Sequence, residues 1–254
     1  MKTTTKTTGR LSLCALLVLL GSMSFGTPAQ AAPPDKADVI QTSGGELRIT
    51  PINHASLMLE FDGKVIHVDP ASQGDYTGLP QADLILVTDV HGDHQDRAMI
   101  DKLKKPATIV VAPPAVAKTI TEAQTISNGE KKTVAGIQIE AVPMYNLVRG
   151  PQPGALYHDK GRGNGYILTL GGKRVYISGD TECTPEMKAL KNIDVAFLCM
   201  NQPYTMPPGE AADCAKAFRP KIVYPYHSKG SNVQEFADAL KSTPGVEVRI
   251  RKWY

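Results

Sequence analysis

Four side chains that can bind a metal ion fall within one short segment, TDVHGDH at residues 88–94: Asp89, His91, Asp93 and His94. The apolar run LILV precedes the segment and predicts a buried strand, so the four side chains lie on the loop at its carboxyl end. Imidazole and carboxylate groups are the ordinary protein ligands of zinc and related divalent ions. A polar, solvated turn is the alternative, but such turns seldom concentrate these residue types so densely. We therefore predict a metal site on this loop.

Further polar residues follow other apolar runs of the chain. Asp69 follows VIHV, Asp180 lies just beyond RVYIS, and His227 follows KIVYPY. If the strands are parallel neighbours, their carboxyl ends meet at one edge of the fold, where α/β proteins commonly bind ligands. The pattern predicts that these three residues gather around the loop at residues 88–94.

The rest of the chain predicts the elements that position these residues. Hairpins of strands come first and alternating helices and strands follow, twice over, which two sheets packed face to face with helices outside would satisfy. Residues 144–164 form the longest irregular stretch, and a loop that long in a compact domain is more often functional than idle. The predicted strands include residues 46–51, 55–61, 64–68, 108–112, 165–170, 174–178, 194–200, 221–226 and 246–250, with a pair over 131–142. The predicted helices are 95–105, 208–218, 233–240 and a short one from Thr184-Pro185. Residues 32–45 are expected to be a loose leader.

The start of the chain predicts export. Lys2, Lys6 and Arg10 precede an apolar stretch at residues 11–20, and Ala29-Gln30-Ala31 offers small residues where a signal peptidase reads them. The apolar stretch is shorter than the roughly 20 residues of a stable membrane anchor. We therefore expect a signal peptide at residues 1–31, cleaved after Ala31, and a single periplasmic or secreted domain at residues 32–254.

The charge of the chain limits the classes of partner that it is expected to bind. Residues 1–31 hold three of the 28 basic residues and none of the 25 acidic ones, so the remainder is neutral, which argues against a nucleic acid or an anionic membrane as partner. A small-molecule substrate is expected, and the oligomeric state stays open.

Cys183, Cys199 and Cys214 remain after cleavage. Because three is odd, one disulfide is permitted and one thiol stays free, for which Cys199 in an apolar strand is the best candidate.

Taken together, these segments resemble the metallo-β-lactamase superfamily. TDVHGDH is similar to its HxHxDH motif, YISGDTE to the strand that ends in its metal-bridging aspartate, and YPYHS to the strand that ends in its last histidine. The resemblance implies an α/β protein with a four-layer αββα sandwich and a dinuclear metal site, usually zinc, on one edge. NHASLMLEFDGKVIHVDP and HDKGRGNGY look most similar to the metal-dependent hydrolases of its lactonase-like and phospholipase D-like branch.

The resemblance also implies the ligands of two divalent ions. They are His91 and His158 for the first ion, Asp93, His94 and His227 for the second, and Asp180 as the bridge between them. The match of His158 rests on its spacing to Gly165-Tyr166 in the long loop.

Asp89 stands where the family has the first histidine of its motif. A carboxylate is a harder, negatively charged ligand, so a site that contains Asp89 can bind zinc but accepts manganese or iron more readily. Two alternatives remain open: the substitution weakens the first site until only one ion binds, or Asp89 turns away and only caps the loop.

Three residues near the predicted site have separate interpretations. His54 can reach the pocket as a proton donor, with a turn histidine bonded to the backbone as an equal alternative. His67 alternates along its strand and is expected to be structural. Asp69 is expected to orient a ligand histidine from behind. Four residues of the later loops either line the mouth and hold an anionic or polar substrate group, or are solvated: Tyr157, Lys160, Arg162 and Tyr204.

The implied reaction is metal-assisted hydrolysis of an ester, lactone, amide or phosphodiester. Two ions bridged by Asp180 would share a water and lower its pKa toward neutrality. We assign catalytic roles to His54, Asp93 and Asp180, and no GxSxG nucleophile motif is present. The alternatives are a non-catalytic metal-binding accessory protein, suggested by Asp89, and, less favoured, a β-lactamase.

Overall fold

The computed structural model describes residues 1–5 and 37–254, and residues 37–254 belong to one compact unit. The predicted signal peptide and its cleavage point fall mainly on residues 6–36, outside the described residues. Within the described part of the chain, no helix has both the length and the apolar character needed to cross a bilayer.

Strands dominate residues 37–254. In chain order they are β1 (Asp38–Thr42), β2 (Gly45–Asn53), β3 (Ser56–Phe61), β4 (Lys64–Val68), β5 (Ala82–Leu86), β6 (Lys104–Ala112), β7 (Gln124–Thr125), β8 (Lys131–Val134), β9 (Ile137–Met144), β10 (Gly163–Leu170), β11 (Lys173–Ile177), β12 (Val195–Cys199), β13 (Ile222–Tyr226) and β14 (Glu247–Val248). The helices are α1 (Arg97–Leu103), α2 (Pro185–Lys188), α3 (Pro208–Phe218) and α4 (Val233–Leu240), with a 3-10 turn at Val116–Lys118.

The strands form two mixed seven-stranded sheets. The first sheet has the order β1-β2-β3-β4-β5-β6-β7, and the second has the order β14-β13-β12-β11-β10-β9-β8. Within the first sheet β4, β5 and β6 run parallel, and within the second β11, β12 and β13 run parallel. Each parallel set therefore brings the carboxyl ends of its strands to one edge, as the sequence predicted.

The side chains of β5 show how the layers are built. Leu84 and Leu86 belong to the central core between the sheets, whereas Ile85 and Val87 belong to a separate outer cluster with Met99 and other residues of α1. Successive side chains of a strand point to opposite faces, so the apolar run LILV serves both layers at once. On the second sheet, Tyr176 contacts Phe218 of α3 edge to face. These contacts confirm the predicted αββα sandwich.

The structure corrects two sequence-based assignments. Residues 32–45 were expected to be a loose leader, but Asp38–Thr42 is the edge strand β1. It is fixed because Asp38 accepts hydrogen bonds from the Tyr224 hydroxyl at 2.7 Å and from Arg251 at 2.8 Å. The helix predicted at residues 95–105 is shorter, since Asp96 caps it through the Met99 backbone N–H and the chain enters β6 at Lys104. Helices α3 and α4 have the predicted bounds.

The cysteines pair as the count allowed. Cys183 and Cys214 form a disulfide, and Cys199 is free and buried in β12. The disulfide joins the segment that follows Asp180 to α3 on the outer face of the second sheet. The prediction for Cys199 is confirmed.

Candidate metal centre

The ends of four strands meet at one edge of the sandwich. Asp69 follows β4, Asp89 comes shortly after β5, Asp180 shortly after β11, and His227 directly after β13. The first two strands belong to one sheet and the last two to the other, so the site lies where the two sheets open toward solvent. The sequence-based placement of these residues at one edge is confirmed.

Asp89, His91 and His158 form the first ligand group, with ligand atoms within 4.8 Å of one another. The Nδ1 atom of His91 lies 3.0 Å from Oδ2 of Asp89. His158 comes from the loop before β10 and is buried, whereas the His91 side chain is about half exposed. The long loop thus delivers a buried imidazole to the motif at residues 88–94.

His94, Asp180 and His227 form a second, fully buried group. The Nε2 atoms of the two histidines lie 3.1 Å apart, and Nε2 of His227 lies 3.3 Å from Oδ1 of Asp180. Asp93 adds a carboxylate oxygen 3.4 Å from the same nitrogen of His227. Two imidazoles whose Nε2 atoms face one point, with two carboxylates around them, make a donor set suited to a divalent ion.

Asp180 lies between the two groups. Its Oδ2 atom is 3.3 Å from Nε2 of His158 and 3.5 Å from Nε2 of His94. The Oδ1 atom of Asp180 and the Nε2 atom of His158 are buried without a hydrogen-bond partner among the described residues. Buried polar atoms are costly when unpaired, and a pair of cations on either side of Asp180 would satisfy both. The donor set therefore fits two ions that share Asp180.

The carboxylates of the site are held in the ionised form that metal binding requires. Burial alone would raise the pKa of Asp180, but the imidazoles of His227 and His94 outweigh it and keep the pKa well below its usual range. Burial likewise opposes ionisation of Asp89, and the hydrogen bond with His91 and the charge of Arg162 lower its pKa despite that. No proton therefore has to leave these carboxylates when a cation binds.

Asp69 orients His94 from behind, as the sequence predicted. Its Oδ2 atom accepts the Nδ1–H of His94 at 2.8 Å and the hydroxyl of Thr88 at 2.6 Å, and its Oδ1 atom accepts the Thr88 backbone N–H at 2.7 Å. Because Nδ1 carries the proton, the lone pair of Nε2 faces the site. A carboxylate behind a histidine in this way fixes the tautomer and the ring orientation of a metal ligand.

Asn146 holds His158 in the same manner. Its side-chain oxygen accepts the Nδ1–H of His158, and its side-chain nitrogen donates to Glu182 at 3.0 Å. Glu182 is buried and also accepts backbone N–H groups of three successive residues of the loop at residues 147–149. The carboxylate therefore fixes the start of the long loop that carries His158, which explains how an irregular segment can supply a precise ligand.

His54 reaches the pocket by its side chain, and it also lies in a turn where its backbone N–H donates to Trp253 and its carbonyl oxygen accepts from His227. Its Nε2 atom lies 3.1 Å from Oδ2 of Asp93, and its ring contacts that of His227 at a centroid distance of 3.8 Å. His54, Asp69 and His227 all have positive φ, at 53°, 45° and 43°. Such backbone conformations are unfavourable for residues other than glycine and tend to cluster at functional sites.

Of the four residues predicted to line the mouth, Tyr204 does so and the others have different positions. Arg162 donates to both carboxylate oxygens of Asp89, and Lys160 pairs with Glu186. Tyr157 packs edge to face on Tyr204. Lys160 is exposed, which agrees with the solvated alternative, and Arg162 faces Asp89 and not the mouth.

A cleft of about 540 Å³ opens onto both ligand groups. Its walls include His54 and Tyr204, together with Asn201, Gln202 and Lys229 from the loops that follow β12 and β13. These side chains offer hydrogen-bond donors and acceptors beside the metal ligands. A small polar molecule can thus lie against the candidate metal centre.

His67 has the structural role that its alternation in β4 predicted. It is buried, and its Nε2–H donates to the carbonyl oxygen of Pro80 at 3.0 Å. Burial lowers its pKa to about 4, so the ring is neutral at pH 7.

Three residues that support the site were not identified from the sequence. Asn146 and Glu182 act through the long loop, and Tyr254 contacts His54 from 200 positions away along the chain. Each of them pairs with a residue that only the tertiary fold brings near, so spacing in the sequence carried no signal. The one available hint was Glu182 itself, an acidic residue directly after the Gly179-Asp180-Thr181 turn.

Comparison with known proteins agrees with this geometry. A model of the beta-lactamase superfamily domain matches residues 48–227. A UPF0173 metal-dependent hydrolase of Geobacillus sp. is 32% identical over 196 residues, which cover 71% of this chain and 85% of that protein. A UPF0173 metal-dependent hydrolase of Thermococcus kodakarensis is 32% identical over 190 residues, covering 69% and 82% of the two chains.

Solved structures show the same fold. A crystal structure from Parabacteroides distasonis, of a protein assigned as a metal-dependent hydrolase, is 47% identical with a TM-score of 0.81 and covers 86% of this chain and 99% of its own. A metallo hydrolase from Ignicoccus hospitalis is 24% identical with a TM-score of 0.67, covers 81% and 95% of the two chains, and shows the likeness of fold alone.

Proposed function

The chain belongs to the metallo-β-lactamase superfamily and is a metal-dependent hydrolase. From that premise we propose that it is an exported enzyme that uses two divalent ions, with zinc as the native metal. It would hydrolyse an ester, lactone, amide or phosphodiester of a small molecule. The observation that carries the proposal is the position of Asp180 between two ligand groups. One carboxylate that faces both groups is the arrangement needed to hold two ions close together.

The proposed ligands divide as the family resemblance implied, with Asp89 added to the first site. Asp89, His91 and His158 would hold the first ion, Asp93, His94 and His227 the second, and Asp180 would contact both. Ions held by these residues would supply Lewis acidity, which would lower the pKa of water and polarise the scissile carbonyl or phosphoryl group.

The protein's own residues would do the remaining work. The Nε2 atom of His54 lies 3.1 Å from Asp93 on the pocket wall, where the ring, once protonated, would give a proton to a leaving group beside the ions. Tyr204, Asn201 and Lys229 line the same cleft and would hold the polar groups of the substrate. Asp69 and Asn146 keep the ligand imidazoles in one orientation, so that the site does not have to reorganise during the reaction.

Metal content of purified protein tests the proposed site. Protein loaded with Zn²⁺ after treatment with a chelator should hold two ions, and Asp180→Ala or His227→Ala should lose at least one. Asp194→Asn is a matched control, because Asp194 is a partly buried carboxylate that pairs with Lys221. Unchanged metal content in both site variants would reject the ligand assignment, whatever the activity.

Turnover tests the proposed reaction. The loaded protein should hydrolyse at least one class in a panel of generic esters, lactones, amides and phosphodiesters, and chelation should abolish that activity. Two bound ions without turnover of any class would leave a metal-binding protein and contradict the proposed reaction.

Export has its own support and its own test. Basic, apolar and small-residue segments occur in the order of a signal peptide, and a disulfide such as Cys183–Cys214 persists in oxidising compartments. Protein recovered from the periplasm or the medium of an expressing bacterium should begin near Ala32. Intact Met1 on that protein would contradict cleavage.

A further inference from the structure

We propose that Arg162 is a positioning residue of the first ion site, which lets the carboxylate of Asp89 take the place of the histidine that the superfamily motif has at this position. The proposal rests on the two-ion site proposed above. Asp89 is a ligand of that site, whereas Arg162, its ion-pair partner, has no role in the ligand assignment.

Each of the three guanidinium nitrogens of Arg162 donates a hydrogen bond. Its Nε donates to Oδ1 of Asp89 at 3.0 Å, its Nη2 donates to Oδ2 at 2.8 Å, and its Nη1 donates to the carbonyl oxygen of Tyr157 at 2.8 Å. Two parallel hydrogen bonds between guanidinium and carboxylate fix the plane of the carboxylate. Asp89 is wholly buried, so this pair determines where its oxygens point.

The same pairing leaves one oxygen facing the ligand group. Oδ2 of Asp89 lies 3.0 Å from Nδ1 of His91, and both belong to the group whose ligand atoms lie within 4.8 Å of one another. A carboxylate oxygen has two lone pairs, so Oδ2 can accept the hydrogen bond of Arg162 with one and, where a cation replaces the proton between Asp89 and His91, coordinate that cation with the other. The ion pair therefore orients the carboxylate of Asp89 and leaves one lone pair of Oδ2 available for a cation.

Charge gives a second reason for the pair. An imidazole ligand is neutral, whereas Asp89 adds one negative charge to a site that already holds Asp93 and Asp180. Arg162 contributes one positive charge in direct contact with Asp89, so the two together are neutral, as a histidine ligand would be. A buried carboxylate without a partner would be strongly destabilising. Arg162 also offsets the preference for harder cations that Asp89 alone would create.

The backbone explains why Arg162 reaches Asp89. Gly163, the next residue, starts β10 so close to the end of β5 that a Cβ atom there would lie 2.7 Å from the carbonyl oxygen of Thr88. That same oxygen accepts the backbone N–H of Asn164 at 2.9 Å. Because Thr88 and Gly163 are held together, their neighbours Asp89 and Arg162 must face each other.

A double-mutant cycle on metal binding tests the proposal without relying on activity. Zn²⁺ alone is titrated into the chelator-treated mature protein, and stoichiometry and both dissociation constants are measured for wild type, Arg162→Gln, Asp89→His and the double variant. Arg162→Gln should weaken the first site about 10- to 100-fold, as is usual when the partner of a metal ligand is removed. In the Asp89→His background the same change should alter affinity less than about twofold.

Two further variants control for folding and for charge. Arg162→Lys keeps the charge but cannot bond both carboxylate oxygens, so it should weaken the first site as well. Arg174→Gln removes an arginine of similar exposure that pairs with Glu140 outside the site, and should leave both dissociation constants unchanged. Binding of the second ion, at His94, Asp180 and His227, reports that each variant is folded.

Three outcomes would overturn the inference. Equal affinity of wild type and Arg162→Gln would show that Asp89 needs no partner, and tighter binding by Arg162→Gln would show that the guanidinium excludes the ion. Equal losses from Arg162→Gln with and without Asp89→His would place the effect elsewhere. A wild-type protein that binds fewer than two ions would instead contradict the proposed function itself.

Discussion

The hydroxyl oxygen of Tyr254 lies 2.7 Å from Nδ1 of His54 and accepts the backbone N–H of Ser228 at 3.0 Å. Because the oxygen accepts from Ser228, its single proton is free to be donated to Nδ1. Burial lowers the pKa of His54, so the ring is neutral and its own proton lies on Nε2, which faces Asp93 at 3.1 Å. Tyr254 thereby fixes the tautomer and the orientation of the His54 ring at the pocket wall.

Tyr254→Phe should therefore lower kcat while KM and metal content stay near the wild-type values. The change removes the hydrogen bond from Ser228 and the one to His54, and the loss of the latter, worth about 0.5–1.5 kcal/mol, corresponds to roughly 2- to 10-fold in rate. Steady-state kinetics with the substrate class found by turnover provides the measurement, and ¹⁵N NMR of the His54 ring shows which nitrogen carries the proton. Tyr224→Phe is the control, since it removes a hydroxyl bonded to Asp38 outside the site. A similar loss in both variants would refute a specific role of Tyr254.

Metal binding should raise thermal stability, because ions bind the folded site and not the dispersed ligands of the unfolded chain. Zn²⁺ at about 100 times its dissociation constant adds about 2.7 kcal/mol, which for a domain of this size raises Tm by about 5–10 °C. Differential scanning fluorimetry with and without a chelator measures the shift. Asp180→Asn should remove most of it, whereas Asp213→Asn, at an exposed pair with Lys216, should not. An equal Tm of the wild-type protein with and without the chelator would contradict the prediction.

Residues at strand ends could be predicted from the sequence, and residues that act across the fold could not. The position of Asp180 and His227 followed from apolar runs, because an apolar run marks a buried strand and the residue after it lies at the sheet edge. The role of Arg162 did not follow, since a basic residue in a glycine-rich loop is usually solvated. Only the pairing of Asn164 with Thr88 brings Arg162 to Asp89.

The edge strand β1 was missed for a related reason. Its residues lie next to a stretch rich in Pro, Ala and Gly, and only one face of the strand is partly covered, so its sequence has no strong apolar alternation. Its position depends on Tyr224 and Arg251, which contact Asp38 from the far end of the chain. Local sequence carries no signal for contacts of that range.

His67 should make stability depend on pH. Its folded pKa of about 4 is below the 6.5 of an exposed histidine, so the unfolded chain binds a proton at pH values where the folded protein does not. This contribution to stability is fully present above about pH 6.5 and is lost as the pH falls toward 4, to a total on the order of 3 kcal/mol. His67→Gln, which can still donate to Pro80, should show a shallower fall in the free energy of unfolding by urea between pH 7 and 5. Parallel curves for the two proteins would contradict the prediction.

Thiol chemistry should distinguish the three cysteines within residues 32–254. Cys199 is buried in β12 and burial raises its pKa to about 12, so it should not react with a thiol reagent in the folded protein. After unfolding without a reductant, the mature protein should show one reactive thiol, and a chain that keeps its leader should show a second from Cys14.

Reduction of Cys183–Cys214 opens a loop whose ends are 31 residues apart and should lower the free energy of unfolding by about 3–4 kcal/mol on the chain-entropy model. Urea unfolding with and without a reductant measures that loss, and Cys199→Ser is the control that should leave the difference intact. Three reactive thiols in unreduced, unfolded mature protein would show that the disulfide does not form.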